Sequence, residues 1–143
     1  MKRNVILGAA LALMGGLVMG SSLALAHGDV TPQQVNTKGL PALGDKWKES
    51  NPYRGNPKAV EIGASGFNQN CARCHGLEAI SGGIAPDLRY LAVGQEGDDW
   101  FSYRMENGAV RDGRVYMPVF KGVLTQEALW AIRSYLESRH VNE

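Results

Sequence analysis

The residues best suited to chemistry in this chain are Cys71 and Cys74, its two cysteines, and the histidine that follows them, in the order Cys-Ala-Arg-Cys-His. A C-x-x-C-H sequence is the attachment motif of c-type haem. Two intervening residues let both thiols reach the vinyl groups on one porphyrin edge from a single helical turn, and the adjacent imidazole is then directed at the iron. We therefore predict that Cys71 and Cys74 hold one haem c covalently and that His75 is an axial ligand.

Other kinds of site also use a Cys-x-x-Cys pair. A thioredoxin-like redox site lies within a βαβ pattern, and no such pattern surrounds this pair. A zinc site usually takes four ligands, so His27 and His140 would have to complete it from opposite ends of the chain. A simple disulfide would suit an exported protein. The histidine that follows argues against a simple disulfide, and we favour haem attachment over all three alternatives.

A methionine is the natural candidate for the second axial ligand, since a His/Met pair raises the haem potential and fills both axial positions. Met105 follows Phe101 by four residues in a predicted helix, the usual place for a core residue. Met117 lies in a predicted loop, before Pro118, which cannot continue a helix. We predict Met117 as the ligand, because a loop brings a side chain to the far face of the ring more easily. Met105, or an iron without a second protein ligand, is the alternative.

Four further residues are candidates for supporting contacts. Pro86 follows His75 by eleven residues, and a backbone carbonyl there is predicted to accept the second ring N–H of the histidine. Arg89, Trp100 and Tyr116 are candidates for contacts to the haem propionates. The alternatives are an ordinary loop proline for Pro86 and ordinary packing for the other three.

Three helices are predicted to position these residues. The first begins at Asn56-Pro57, where a capping side chain precedes a proline at the first helical position. The second begins with Asp98 as its cap and ends at Asn107, and the third is capped by Thr125. The segments between them, including residues 108 to 124, are predicted to be loop, with no strand of any length.

Residues 1–26 are predicted to be a cleaved signal peptide. A basic start at Lys2-Arg3 precedes an uncharged apolar run that ends in a small-x-small pattern at Ala26. The alternative is an uncleaved membrane anchor. Cleavage predicts a periplasmic protein without stable membrane insertion. It removes two of the 15 basic residues and none of the 14 acidic ones, which leaves 13 against 14 and a net charge of −1. This balance argues against nucleic acid as a partner.

The remaining chain is predicted to contain an irregular N-terminal arm at residues 27–58 and a cytochrome c domain at residues 59–143. The arm holds four of the six prolines, a composition that does not favour a long helix. The domain is small and gains stability from a covalent apolar cofactor.

The chain resembles the class I cytochromes c over about residues 57–140. Gly63, Phe67 and Cys71, each four apart, resemble the first helix of that family, and Tyr135-Leu136 resembles its last helix. The resemblance implies an all-α fold in which the N- and C-terminal helices cross around one haem. It also implies that the crossing lies at Gly63, which we expect beneath Tyr135.

Two stretches, 70–88 and 115–118, resemble more narrowly the soluble c550-type cytochromes of bacterial alcohol oxidation. Those proteins accept electrons from alcohol dehydrogenases that use pyrroloquinoline quinone. The resemblance implies a single-electron carrier and not an enzyme, with such a quinoprotein dehydrogenase as donor and a downstream oxidase or cytochrome as acceptor. It departs from mitochondrial cytochromes, because their lysine-rich ring around the haem edge is not apparent.

Two other functions remain open from the sequence. One is a haem enzyme or gas sensor with an open sixth coordination position. The other is an interaction subunit held permanently on a dehydrogenase. The ligand set of the iron separates the first from an electron carrier, and association with a dehydrogenase bears on the second.

Overall fold

The structure is a computed structural model that describes residues 31–142. The predicted signal peptide and its cleavage site lie outside the described residues. Helices, two short 3-10 turns and one hairpin follow in the order α1 (Pro57–Asn70), α2 (Ala72–His75), Leu77–Ala79, Leu88–Tyr90, α3 (Gly94–Asn107), β1 (Ala109–Arg111), β2 (Arg114–Met117) and α4 (Gln126–Ser138). Within the described range, no helix is long and apolar enough to cross a membrane.

Helix α1 begins where the sequence predicted. The Asn56 side chain accepts hydrogen bonds from the backbone N–H groups of Lys58 at 2.9 Å and Ala59 at 3.3 Å, and Pro57 occupies the first turn. These bonds satisfy donors that the first turn of a helix leaves without partners. The helix ends at Asn70, so that the first cysteine of the motif follows directly.

Helix α4 also has the predicted cap. The Thr125 hydroxyl accepts a hydrogen bond from the N–H of Ala128 at 3.2 Å. Every residue from Ala128 to Leu136 is buried, which leaves this helix without a solvent-facing stripe in its centre. A helix buried on all sides needs partners on both sides.

Helix α1 supplies one of those partners. A Cβ atom built on Gly63 would lie 1.9 Å from the carbonyl oxygen of Ala131, so only glycine lets the two backbones approach this closely. The expectation that Gly63 lies beneath Tyr135 is wrong, because the backbone of Ala131 occupies that position. Tyr135 instead packs on Phe67, with ring centroids 5.4 Å apart.

The N-terminal segment, residues 31–56, supplies the other partner. It contains turns and bends without a helix or strand. Trp47 packs on Trp130 with ring centroids 5.2 Å apart. The Gln126 side chain accepts a hydrogen bond from the N–H of Lys48 at 3.3 Å and donates to the carbonyl of Lys46 at 3.2 Å. The segment therefore covers the face of α4 that α1 leaves open.

A network of charged side chains ties this segment to α3 and α4. Asp98 accepts hydrogen bonds from Arg133 Nε at 2.8 Å, from Arg54 Nη2 at 2.5 Å and from the N–H of Asn51 at 2.8 Å. Both Asp98 and Arg133 are fully buried. Glu137 extends the network, because its carboxylate accepts from Arg54 Nε at 3.0 Å and from Arg133 Nη2 at 3.2 Å.

The network corrects the predicted start of the second helix. Helix α3 begins at Gly94, one turn before Asp98, and its N-cap position is Val93, whose side chain makes no capping bond. The N–H of Gly94 donates instead to Glu137 of α4 at 3.1 Å. A carboxylate from another helix thus acts as the cap, and Asp98 serves as the buried counter-ion of Arg133.

The loop predicted for residues 108–124 contains a β-hairpin. Strands β1 and β2 pair antiparallel, with Val110 opposite Val115 and Arg111 opposite Arg114. Their turn is Asp112-Gly113, with φ of 49° and 72°. Asp-Gly is a strong signal for a two-residue hairpin turn. The prediction of a loop without strands was therefore wrong here, although the sequence contained this signal. The helix-rich architecture otherwise agrees with the prediction.

Candidate haem-binding site

The three residues of the motif lie within one helical turn. The N–H groups of Cys74 and His75 both donate to the carbonyl of Cys71, at 3.1 Å and 3.0 Å. Both cysteines are free and only partly buried. The turn therefore presents two thiols and an imidazole as a unit.

The protonation of the thiols and the residues around them argue against a thioredoxin-like redox site and a zinc site. Burial, with a smaller contribution from Cys74, raises the pKa of Cys71 to about 12. Reactive redox cysteines show the opposite shift, because only the thiolate attacks. Within residues 31–142, no group of three or more His, Cys, Asp or Glu side chains is arranged to hold a metal ion. In this part of the chain, neither a thioredoxin-like site nor a zinc cluster is apparent.

The imidazole of His75 is held by the loop that follows it. His75 Nδ1 lies 2.9 Å from the carbonyl oxygen of Pro86. A neutral imidazole that donates from Nδ1 presents its other nitrogen, Nε2, as a metal ligand. Gly76 permits the sharp turn after the histidine, because its φ is 78° and a Cβ there would lie 1.8 Å from the carbonyl oxygen of Ile80.

Asp87 fixes the loop that carries the Pro86 carbonyl. Its carboxylate accepts from Arg89 Nη2 at 2.8 Å and from Arg89 Nε at 3.0 Å, and from the N–H of Ser81 at 3.2 Å. The side-chain hydrogen bonds from Arg89 are the largest cause that holds the pKa of Asp87 well below its usual range. Arg89, a candidate for a propionate contact, thus lies in an ion pair with its own loop.

Met117 lies at the end of β2 and is partly buried against the core. A β-bulge falls between the pair it forms with Ala109 and the next pair along the hairpin. Bulges redirect side chains, often beside functional sites. Met105, in contrast, is 5% exposed within α3, and its carbonyl accepts from the N–H of Phe120 at 3.0 Å. It occupies the core position expected for it.

The other two propionate candidates are exposed aromatic residues beside arginines. Trp100 is 49% exposed and stacks on Tyr103, with ring centroids 5.8 Å apart. The guanidinium of Arg104 lies over both rings, 4.4 Å from the centroid of Trp100. Tyr116 is exposed, with Arg111 5.9 Å from its ring centroid. Arg104 was not singled out from the sequence, although its four-residue spacing from Trp100 places the two on one helix face.

An open cleft of about 910 Å³ runs beside the aromatic face of α3. Tyr90, Leu91, Trp100 and Tyr103 line it, with carboxylates from Glu96 and Asp99. Its volume lies in the range of about 300–1,000 Å³ typical of cofactor sites. The two cysteines, His75 and Met117 do not line it, so the ligand set rests on the chemistry of the motif and not on the cleft.

The distribution of exposed apolar side chains fits an apolar cofactor. Within residues 31–142, every exposed large apolar residue follows Cys74, and most lie between Leu77 and Val119. Leu77 is 71% exposed and Ile84 is 78% exposed. Large exposed apolar side chains concentrated in one part of the chain are consistent with a surface that an apolar group covers. The polypeptide after the motif therefore suits a large planar apolar group attached through the two cysteines.

Comparison with known proteins gives a family match and one relative of nearly full length. Residues 58–136 match the family model described as cytochrome C oxidase, cbb3-type, subunit III. The chain is 64% identical to the protein named cytochrome c550 from Pseudomonas aeruginosa, over 99% of each chain.

Two larger proteins match a part of the chain. Quinohemoprotein alcohol dehydrogenase ADH-IIG from Pseudomonas putida is 38% identical over 57% of this chain and 11% of its own length. Quinohemoprotein alcohol dehydrogenase ADH IIB from the same species is 32% identical over 64% of this chain and 13% of its own length. The chain therefore resembles only a small part of each dehydrogenase. No solved structure gives a significant match.

Proposed function

Because the chain belongs to the class I cytochromes c, we propose that it carries single electrons in the periplasm with one covalently bound haem. Membership of this family makes it an electron-transfer protein rather than an enzyme, and implies a covalently attached haem c. The observation that carries the proposal is the single turn that presents Cys71, Cys74 and His75 together, with His75 held by the Pro86 carbonyl.

Each residue of the site has a role in the proposal. Cys71 and Cys74 would hold the haem through thioether bonds, and His75 Nε2 and the Met117 sulfur would ligate its iron. The haem, when bound, supplies exchange of one electron at its iron. The protein sets the potential through its axial ligands and the apolar surface around them. With two side chains on the iron, the haem would exchange electrons without binding oxygen or a substrate.

The framework around the haem also belongs to the proposal. We place α1 and α4 as the crossed helices that support the haem, in contact at Gly63, where the two backbones come close. The N-terminal segment is an arm whose role is to complete the burial of α4. The leader up to Ala26 directs export, after which the chain functions in the periplasm.

The proposed electron donor is an alcohol dehydrogenase that uses pyrroloquinoline quinone. The partial likeness to two quinohemoprotein alcohol dehydrogenases supports this partner. Oxidation of an alcohol releases two electrons, and one iron accepts only one, so the donor must pass them on singly. The proposed acceptor is a downstream oxidase or cytochrome.

The axial ligands are tested by matched methionine variants of the holoprotein. Met117→Ala is expected to open the sixth position, lower the potential and abolish the methionine–iron charge-transfer band. Met105→Leu, the control, is expected to keep the band, because Met105 lies in the core. Loss of the band in Met105→Leu alone would reverse the ligand assignment. A wild-type protein that lacks the band and binds exogenous ligands would favour the haem enzyme or gas sensor.

The donor is tested by direct reduction. A purified pyrroloquinoline-quinone alcohol dehydrogenase with alcohol is expected to reduce this haem rapidly, as followed by absorbance. The overall dependence on salt is expected to be shallow, because a net charge of −1 gives little attraction beyond the screening length of about 8 Å. A cognate dehydrogenase that turns over with an artificial dye but leaves this haem oxidised would refute the partner. Stable co-elution of the two proteins on gel filtration would favour a permanent subunit.

A further inference from the structure

The hairpin formed by β1, β2 and their turn, residues 109–117, carries two arginines side by side. Arg111 and Arg114 are directly opposite each other, next to the pair formed by Val110 and Val115. Neighbouring positions along a strand face opposite sides. The arginine pair and the valine pair therefore project from different faces of the hairpin, and both arginines are exposed.

Nothing in the hairpin itself explains this pairing of like charges. Like charges directly opposite each other on two strands destabilise the pairing. Within residues 31–142, no carboxylate lies within 4.0 Å of either guanidinium, although the neighbouring Lys121 is paired with Glu106 at 2.8 Å. The arrangement costs stability, which is a reason to look for a partner that compensates for it.

Tyr116 lies beside the arginines. It is 58% exposed, and the guanidinium of Arg111 lies 5.9 Å from its ring centroid. Arginine and tyrosine are enriched among the residues that dominate binding energy at protein interfaces. Arginine also suits recognition of carboxylates, since its planar group donates two parallel hydrogen bonds. The three side chains form an exposed basic and aromatic surface, here called the arginine face.

The hairpin leads directly into Met117, the proposed axial ligand. Electron transfer between proteins falls steeply with the distance between donor and acceptor groups, so a docking element is most effective when it is close to the iron. The arginine face precedes that ligand by a few residues. A partner bound there lies near the site of electron exchange.

We propose that the arginine face, Arg111, Arg114 and Tyr116, is the docking surface for the electron donor. The complementary surface of the dehydrogenase presents carboxylates to the two arginines. This inference rests on the proposed function, because it names the surface by which the proposed partner is recognised. It also places the salt-sensitive part of the association on the hairpin, so this local pair of charges makes the dependence on salt steeper than the net charge of −1 alone predicts.

The test compares two charge-reversed variants of the holoprotein. Arg111→Glu with Arg114→Glu reverses the arginine face, and Lys38→Glu with Lys46→Glu makes the same change of net charge on the N-terminal segment. Stopped-flow absorbance gives the second-order rate constant of reduction by the alcohol-loaded dehydrogenase at low and high salt. The arginine variant is expected to be at least about tenfold slower at low salt, with the difference shrinking at high salt. The lysine variant is expected to remain close to the wild type.

Independent readouts show that the haem itself is unchanged. Both variants are expected to keep the methionine–iron band and the midpoint potential of the wild type. Where charge reversal disturbs that band, Arg111→Gln with Arg114→Gln is expected to give a smaller loss in the same direction.

Each contrary result has its own meaning. An arginine variant reduced as fast as the wild type overturns the docking surface and leaves the proposed donor intact. Equal slowing of both variants also overturns it, because net charge alone then accounts for the effect. A dehydrogenase that turns over with a dye but reduces none of the three proteins overturns the proposed donor and the docking surface with it.

Discussion

Two regions of the molecule complete their packing in different ways. Around α4, every central residue is buried, and the N-terminal segment joins α1 in covering it. After Cys74, the chain up to Val119 exposes large apolar side chains along most of its length. The first region is closed by polypeptide alone, whereas the second presents an apolar surface that a cofactor or a partner must cover.

Charge is also handled differently in the two regions. Around α4, the fully buried guanidinium of Arg133 pairs with Asp98 on the inner side of α3, and Asp98 also receives hydrogen bonds from Arg54 and the N–H of Asn51. These partners offset part of the cost of burying the ion pair, although Arg133 Nη1 is buried without a hydrogen-bond partner among the described residues. On the hairpin, Arg111 and Arg114 are exposed and face each other. The closed region thus uses charge for internal cohesion, and the open region presents charge to solvent.

Loss of the haem attachment is expected to change the difference in protection between the two regions most. Cys71→Ser with Cys74→Ser removes both proposed thioether bonds, so the open region is expected to lose the apolar cofactor proposed to cover it. Hydrogen exchange is expected to show loss of protection between Leu77 and Val119, while α1 and α4 retain more of theirs. Equal loss in both regions would contradict the division of the molecule proposed here.

The wild-type protein provides the reference for that experiment. Its mass is expected to correspond to one haem added to a chain that starts at His27, and its haem is expected to resist acid-acetone extraction. Extractable haem, or a mass that fits a disulfide between Cys71 and Cys74, would refute covalent attachment.

Breaking the buried network of Asp98, Arg133, Arg54 and Glu137 is expected to lower the free energy of unfolding by the next largest amount. Asp98→Asn removes the charge that compensates Arg133, and loss of one partner from a buried pair costs about 3–5 kcal/mol. Urea unfolding of the holoprotein measures the change in the free energy of unfolding. Asp99→Asn is the matched control, because it alters the next residue of the same helix on an exposed position. If both variants lose similar stability, the network does not hold the closed region together.

The contact between α1 and α4 is expected to give a smaller effect. In Gly63→Ala, the new methyl group meets the backbone carbonyl of Ala131, and overpacking typically costs about 1–3 kcal/mol. Gly66→Ala is the control on the same helix, since its Cβ would meet the side chains of Val35 and Ile132 at 3.1–3.2 Å, and side chains can move. The melting temperature is expected to fall further for Gly63→Ala, with the methionine–iron band unchanged in both. A larger fall for Gly66→Ala would contradict the contact.

The helices that local signals define could be predicted from the sequence. Asn56 and Thr125 cap α1 and α4 through bonds to nearby backbone groups, and such bonds depend only on neighbours in the chain. The motif at Cys71 to His75 is equally local. The cap of α3 could not be predicted, because it comes from Glu137 on another helix.

Tertiary contacts account for the other differences. Asp98 is an acidic residue before an apolar run, which is the usual setting of a helix cap. Its side chain instead pairs with Arg133, 35 residues away in the chain. The hairpin was overlooked because its strands have three and four residues, too few for a clear alternation, although Asp112-Gly113 signalled its turn. The ion pair of Arg89 with Asp87 is local, but Asp87 caps the short 3-10 turn that contains Arg89, and side chains two residues apart do not meet on a helix, so the spacing did not identify the pair.

The smallest expected effect concerns Asp87, which anchors the loop of the open region that carries the Pro86 carbonyl. Hydrogen bonds, first of all from the Arg89 side chain, hold the pKa of Asp87 well below its usual range in the folded protein. The unfolded chain has the ordinary aspartate pKa of about 3.9. A lowered folded pKa means that the carboxylate contributes to stability above the unfolded pKa. That contribution is lost as the pH falls below about 4 towards the folded value.

Asp87→Asn therefore separates this contribution from the rest of the acid response. The free energy of unfolding of the wild type is expected to exceed that of Asp87→Asn by a constant amount above about pH 5, since the carboxylate is then ionised in both folded and unfolded chains. The difference is expected to shrink as the pH falls below about 4, because the unfolded wild-type chain then binds a proton at Asp87 while the folded carboxylate, held by Arg89, does not. Asp112→Asn, which makes the same change of charge on the exposed hairpin turn, is expected to follow the pH dependence of the wild type. A difference between the wild type and Asp87→Asn that stays constant down to pH 2 would mean that packing of the loop, and not the charge of Asp87, holds the Pro86 carbonyl against His75.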